Sequence, residues 1–270
     1  MWLALFRKEW QDSLPRFLLI MILNTLGFLI MLYLIEQESF LFLLIALPLI
    51  IVHVIYLFFE WLIAFSREWR SNTHVQWLNL PVSGWALITS KMAAGLSQFL
   101  ISLIYAMIAA YVMLTRIISV GQEGNSVYTD MTSVIEPVRQ AYLEFSPFIL
   151  AVILHGAVMI GLAAVFIYLM AKAFKPLGWL IGIVLTFVVN WMISWLSDQV
   201  WFQSVQTFIP LLRSDDVIER LTILFTDFSD VAIDQTGGDV LYLGQIVTIL
   251  AGYLLALGIF RWLLDKYVEA

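Results

Sequence analysis

Residues 17–35 form a run of nineteen with no charged side chain. As an α-helix such a run extends about 28 Å, close to the hydrocarbon thickness of a bilayer. In that medium every backbone N–H and C=O must be satisfied within the segment, so a helix is the form it takes. Comparable apolar stretches recur at about 40–65, 92–115, 146–170, 177–197 and 241–264. Composition agrees: 62% of residues are hydrophobic and 13% charged, against about 25% charged in soluble domains. The expected fold is an all-α polytopic membrane protein with six transmembrane helices, forming a single transmembrane domain over residues 17–270. A cleaved secretory signal would carry an apolar core of about 7–15 residues and a small-residue cleavage site. Tyr33-Leu34-Ile35-Glu36 offers no such site, so the first run is expected to be a retained anchor.

The segment before it, residues 1–16, mixes Trp2, Phe6 and Trp10 with Arg7, Lys8, Glu9 and Arg16. Aromatic groups alternating with charges suit an amphipathic helix lying in the membrane surface. Positive charge fixes the orientation. With both termini on one side, ten of the fourteen Lys and Arg residues fall on that side and four on the other. Acidic residues lean the opposite way, six against fourteen. Both termini are therefore expected to be cytoplasmic, with the protein multi-pass in a cell (cytoplasmic) membrane. The segments at 116–145 and 198–240 are then extracellular. The chain has no cysteine, which excludes disulfides and thiolate metal sites. It has no basic tail or arm, so no nucleic-acid partner is expected.

The cytoplasmic stretch at 66–91 is the most informative. Residues 73–79 have the pattern of a short helix with Val75, Trp77 and Leu78 at apolar positions. Pro81 interrupts it and suits the first turn of a second helix over 82–90, which presents Trp85 and Ile88 on one side. Two short apolar-faced helices in a cytoplasmic loop imply packing on something, either the membrane interface or a partner.

In this stretch Glu68, Thr73, Leu80-Pro81-Val82-Ser83 and a lysine ten residues past the proline, Lys91, stand in a pattern that resembles the membrane (permease) subunit of type-2 ABC exporters. The opening Phe6-Arg7-Lys8-Glu9-Trp10 is similar to the elbow helix of that family. The resemblance implies a half-transporter that binds no nucleotide and no cofactor itself. ATP and magnesium would sit on a cytoplasmic ABC ATPase subunit, present in two copies. A second permease chain, identical or homologous, would complete the transporter within membrane lipid. Carried over, Glu68, Thr73, Trp77, Leu80, Pro81, Val82, Ser83, Trp85 and Lys91 would form or support the coupling element. Arg7, Lys8, Glu9 and Trp10 would form the elbow, and the link bearing Lys172 and Lys175 a second cytoplasmic contact. Spans one, two and five would line the dimer seam, which makes Asn24, His53, Glu60 and Asn190 candidates for the pathway. The chain contains no phosphate-binding Gly-x-x-x-x-Gly-Lys loop, as a subunit relying on a separate ATPase would not. Its 116–145 loop is longer than the family's usual brief connection.

Other residues invite chemistry. His53 and Glu60 share a face of the second span, seven residues apart, and ionisable groups at that depth face a bundle interior or a wet cavity. The alternative is structural: Glu60 pairs with an arginine at the cytoplasmic boundary and His53 is a hydrogen-bonded core histidine, with His155 read the same way. Nothing in their spacing asks for a metal, and none is expected. Small residues recur at Gly244, Thr248, Gly252 and Ala256, and at Gly156, Ala157, Gly161 and Ala164, where helices can approach closely. In the 198–240 segment, the apolar patches at 201–202, 208–212 and 221–225 are too short to cross a membrane and are expected as short helices joined by an acidic stretch. Asp227, Asp230, Asp234 and Asp239 give a soluble face, with a turn at Gly237-Gly238. Apart from the exporter, two functions fit the composition: a membrane sensor or scaffold that transports nothing, and an intramembrane enzyme. The second lacks a convergent set of catalytic groups, and the chain is not expected to be an enzyme itself.

Overall fold

The computed structural model describes residues 1–123, 126–224 and 241–268. These are helical almost throughout: α1 Trp2–Glu36, α2 Phe42–Arg70, α3 His74–Leu78, α4 Gly84–Gln122, α5 Thr132–Ala173, α6 Gly178–Ser197, α7 Val200–Gln206, α8 Ser214–Leu224 and α9 Leu243–Lys266. A 3-10 turn, Thr129–Met131, leads into α5. Among the described residues the exception is a short antiparallel ribbon of β1 Pro210–Leu212 and β2 Leu241–Tyr242. Five helices, α1, α4, α5, α6 and α9, are long and apolar enough to cross a membrane, an architecture consistent with a polytopic membrane protein.

Several boundaries differ from those expected. Residues 1–16 are not a separate elbow helix: they run straight into the first apolar stretch as one 35-residue α1, with Pro15 inside it. The second short helix of the 66–91 stretch is likewise the start of α4, which begins at Gly84 with Ser83 as its N-cap. Pro81 therefore precedes the helix instead of opening it. The supposed loop at 116–145 is mostly the end of α4 and the start of α5. Helical hydrogen bonds are local, so a helix formed in lipid continues past the bilayer edge until a cap or turn ends it. In the 198–240 segment, 208–212 contributes a strand and not a helix, and the acidic stretch is itself helical within α8. Asp227, Asp230, Asp234, Asp239 and Gly237-Gly238 lie outside the described residues.

The chain divides into two compact units, Met1–Tyr168 and Leu169–Glu269. In the first, α1, α2 and α4 pack together. Trp61 of α2 is its wedge, 2% exposed, with Nε1 donating to the Met92 carbonyl at 3.1 Å. Glycine is required on both sides of the ring. A Cβ at Gly95 would fall 2.8 Å from Trp61 Cδ1, and one at Gly161 of α5 would fall 2.8 Å from Cζ3. At the far end of α1, Met31, Ile35, Phe42, Met113, Ile117, Val120 and Tyr128 form an apolar cluster, closed by the Tyr128 hydroxyl donating to the Ser39 carbonyl.

In the second unit α6 and α9 are apolar yet largely uncovered. Within α6 only Gly178 and Gly182 are buried, while Trp179, Phe187, Trp191 and Trp195 are exposed. Such a surface belongs in lipid or against another apolar surface. The ribbon hands over to α9 through Leu243 N–H and Gly244 N–H, which donate to the Ile209 and Phe208 carbonyls at 2.9 and 3.1 Å.

Candidate functional site

The most constrained chemistry lies where α1, the end of α2 and the start of α4 meet. The C-terminus of α2 is shaped by Asn72, which takes a left-handed backbone (φ 57°) that Asn tolerates better than most residues. Thr73 N–H then returns to the Glu68 carbonyl at 2.9 Å and Asn72 N–H to that of Trp69 at 3.3 Å, the pair of bonds that closes a helix in a Schellman turn. This turn brings the Thr73 hydroxyl onto Glu68 Oε2 at 2.7 Å. Short helix α3 follows and turns Trp77 inward, 4% exposed, where it packs on Phe65 and Trp69.

Three charged side chains are buried here: Glu9 from α1, Glu68 from α2 and Lys91 from α4, exposed by 3, 3 and 1%. The Lys91 ammonium donates to Glu9 Oε1 and Glu68 Oε1, both at 2.7 Å, and lies 5.1 Å above the Trp77 ring. Arg67 donates to Glu9 Oε2 at 2.8 Å and pairs with Asp12 at 3.0 Å. Lys8 stands 3.6 and 3.5 Å from Glu9 and Glu68. Every carboxylate oxygen of the two buried glutamates therefore has a donor. The cluster sums to zero, with Lys8, Arg67 and Lys91 against Glu9, Asp12 and Glu68. Burial pushes the Glu68 carboxyl up, but Lys91, Thr73 and Lys8 outweigh it and hold it down at about 2. At the margin, Trp2 Nε1 donates to Thr89 Oγ1 at 2.9 Å, a further tie between the N-terminal turns and α4.

A polar file continues along the same interface. Gln98 donates to Ser13 Oγ at 2.8 Å, and Arg16 donates to Glu60 at 2.8 Å. Deeper still, Asn24 Nδ2 donates to Ser102 Oγ at 3.2 Å, which also lies 3.1 Å from His53 Nε2. His53 Nδ1 sits 2.7 Å from the Leu49 carbonyl; a carbonyl only accepts, so Nδ1 carries a proton. The structure thus brings Asn24 and His53 together through Ser102 and gives Glu60 an arginine. Asn190 belongs to the second unit, where it is exposed on α6.

The segment predicted to couple divides into an inward and an outward set. Trp77, Glu68 and Lys91 point in; Val75, Gln76, Asn79, Leu80, Pro81 and Ser83 are exposed. Val82 and Trp85 are half-buried, and Ser83 Oγ accepts from Ala86 N–H at 3.4 Å as the cap of α4. Of the elbow residues, Arg7 and Lys8 are exposed, Glu9 is at the centre of the ion cluster, and Trp10 packs against Phe6 and Phe17. Sequence reasoning missed Asp12, Ser13, Arg67, Gln98 and Ser102. The available signal was their position, polar groups facing apolar neighbours on three helices, but which faces meet is decided by packing. Among the described residues no group of three or more His, Asp or Glu side chains is placed to hold a metal ion. Comparison with family models, curated proteins and solved structures gives no match to this chain.

Proposed function

We propose that the chain is the permease subunit of an ATP-binding-cassette exporter in a bacterial cytoplasmic membrane, driven by a separate ATPase. In this reading α2 joins the five helices above as a sixth span, and the excess of Lys and Arg on one side supports cytoplasmic termini. The observation that carries the reading is the clamp formed by Glu9, Glu68 and Lys91 behind the exposed turn of Val75, Leu80 and Pro81. A rigid, fully paired ionic block in back of a small apolar surface suits the transmission of force. Movement of a partner against residues 74–83 passes to α1, α2 and α4 at once, because Lys91 of α4 is held by Glu9 of α1 and Glu68 of α2. The first turns of α1 serve as the elbow's counterpart, joined through Glu9 to Arg67 and Lys91 and through Trp2 to Thr89, on the helices that flank the coupling turn.

In this reading the chain itself forms no covalent intermediate. ATP and magnesium belong to the ATPase, two copies of which act on two permease chains. The exposed faces of α6 and α9 are covered by lipid or by the second permease chain, and Asn190 is available to that surface. The link at Lys172 and Lys175 adds a second cytoplasmic contact.

The test is co-purification of the tagged protein in mild detergent, comparing wild type with Leu80→Asp. A soluble ATPase at stoichiometric ratio with the wild type, and lost with the variant, supports the proposal. A protein that purifies without any ATPase favours a sensor or scaffold instead.

A further inference from the structure

A second feature of the first unit stands apart from the ion cluster. Between α1, α2, α4 and α5 lies a crevice of about 340 Å³, within the size range of pockets that take small molecules, about 300–1,000 Å³. Its origin is local sequence. On α4 the wall includes Ala106, Ala109 and Ala110, three short side chains where larger ones would fill the space. Met31, Leu49, Met113 and Ile153 form much of the rest, and among the described residues no Asp, Glu, Lys or Arg lines it. Bringing an ion into such surroundings is costly, so a charged ligand is excluded.

The polar groups on the wall are nearly all engaged. The Tyr105 hydroxyl donates to Thr25 Oγ1 at 3.0 Å and that of Tyr142 to the Met107 carbonyl at 2.9 Å. His53 uses both ring nitrogens, on Leu49 and Ser102. Asn24, 6% exposed, uses its amide N–H on Ser102, and its Oδ1 accepts no hydrogen bond from the described residues. The crevice therefore offers the Asn24 amide oxygen as an open acceptor at one end of an apolar slot. Along α1 the lining runs from Asn24 to Met31 and along α4 from Leu103 to Met113, about 10 to 15 Å at 1.5 Å per residue. Asn24 lies near the middle of the apolar stretch 17–35, a depth at which a phospholipid headgroup does not reside.

We infer that this crevice is a binding site for a neutral, lipophilic molecule with a single hydrogen-bond donor, an alcohol or amide of medium chain length, whose donor meets Asn24 Oδ1 while its hydrocarbon fills the slot beside the α4 alanines. The site belongs to one chain and does not depend on the exporter reading, which can fail without it.

The test uses the full-length protein in lipid nanodiscs and a diazirine-bearing ten-carbon alcohol as photoprobe. Labelling should concentrate on peptides covering 103–113 and 142–153 and be competed by 1-decanol. Its methyl ether, which has no donor, should compete about fivefold less well, the factor for one hydrogen bond of about 1 kcal/mol. Ala110→Phe should abolish site labelling, and Asn24→Leu should weaken it about fivefold on the same basis. If Ala110→Phe does not fold, as judged by its elution profile and thermal midpoint, Ala106→Leu is the filling variant. Labelling that persists in the filling variant, or is equally dense on α6 and α9, or is competed equally by alcohol and ether, would overturn the assignment.

Discussion

Lys91 is the residue on which the most depends. It is buried, and its ammonium is shared by two buried carboxylates from different helices. Removing one partner of a buried ionic set leaves the others uncompensated, which costs about 3–5 kcal/mol. Lys91→Met should therefore lower the thermal midpoint in detergent sharply, whereas the triple variant Lys91→Met, Glu9→Gln, Glu68→Gln should recover much of the loss, because neutral groups no longer require the counter-charge. If the single variant is as stable as wild type, the cluster does not hold the helices together. The pH dependence has a definite sign. Glu68 is held at about 2 in the fold against an ordinary 4.5. A depressed carboxyl stabilises fully above the ordinary value, and that contribution disappears as pH falls from about 4.5 towards 2. The stability gap between wild type and Glu68→Gln should thus be constant from pH 7 to 5 and shrink below 4.5; a gap that grows on acidification contradicts the pairing seen here.

At the level of elements, packing rests on glycine as much as on charge. Trp61 fits because Gly95 and Gly161 present bare backbone on either side. Gly161→Leu forces the ring to move, and overpacking of this kind costs about 1–3 kcal/mol. Its thermal midpoint should fall, while the same change at Gly156, where a Cβ meets nothing within 4 Å, should be near neutral; equal effects at both sites would show that the wedge is not where the strain enters. The small-residue stripe 156–164 was visible in the sequence, but its separation into a packed member and an open one was not. Much of the fold was legible in the same limited way. Apolar run length located the long helices, since hydrocarbon thickness sets that length. Charges do not mark where these helices end. The helices α1 and α4 pass through Arg16 and Lys91 without a break, and these charges are paired with Glu60 and with Glu9 and Glu68. The site was less legible than the fold. Trp77 was legible as an apolar position of a short helix in the coupling segment, and the structure turns it inward among Phe65 and Trp69. Pairing of Glu9 with Lys91 spans 82 residues of sequence and depends on helix rotation, which no local pattern encodes.

For the whole molecule, a neutral ionic block joins three helices on one side of the first unit, and a small apolar turn stands exposed outside it. The second unit carries long apolar faces on α6 and α9 that are largely exposed. This division of labour, one unit tied together by ions and the other left open, is what the exporter proposal uses: the first receives motion from an ATPase and the second meets the bilayer or its permease partner. The chain lacks cysteine, so a single introduced thiol reports on one position alone. The most direct measurement is cross-linking of Leu80→Cys, with Trp77→Cys as its inward-facing control, in membranes of cells that produce the protein with its native neighbours, using a short thiol-to-amine reagent followed by mass spectrometry of the adduct. The account predicts an adduct between position 80 and a nucleotide-binding ATPase subunit, with little or none from position 77. An adduct-free position 80, or adducts formed equally from both, would contradict the claim that the exposed turn is where an ATPase docks.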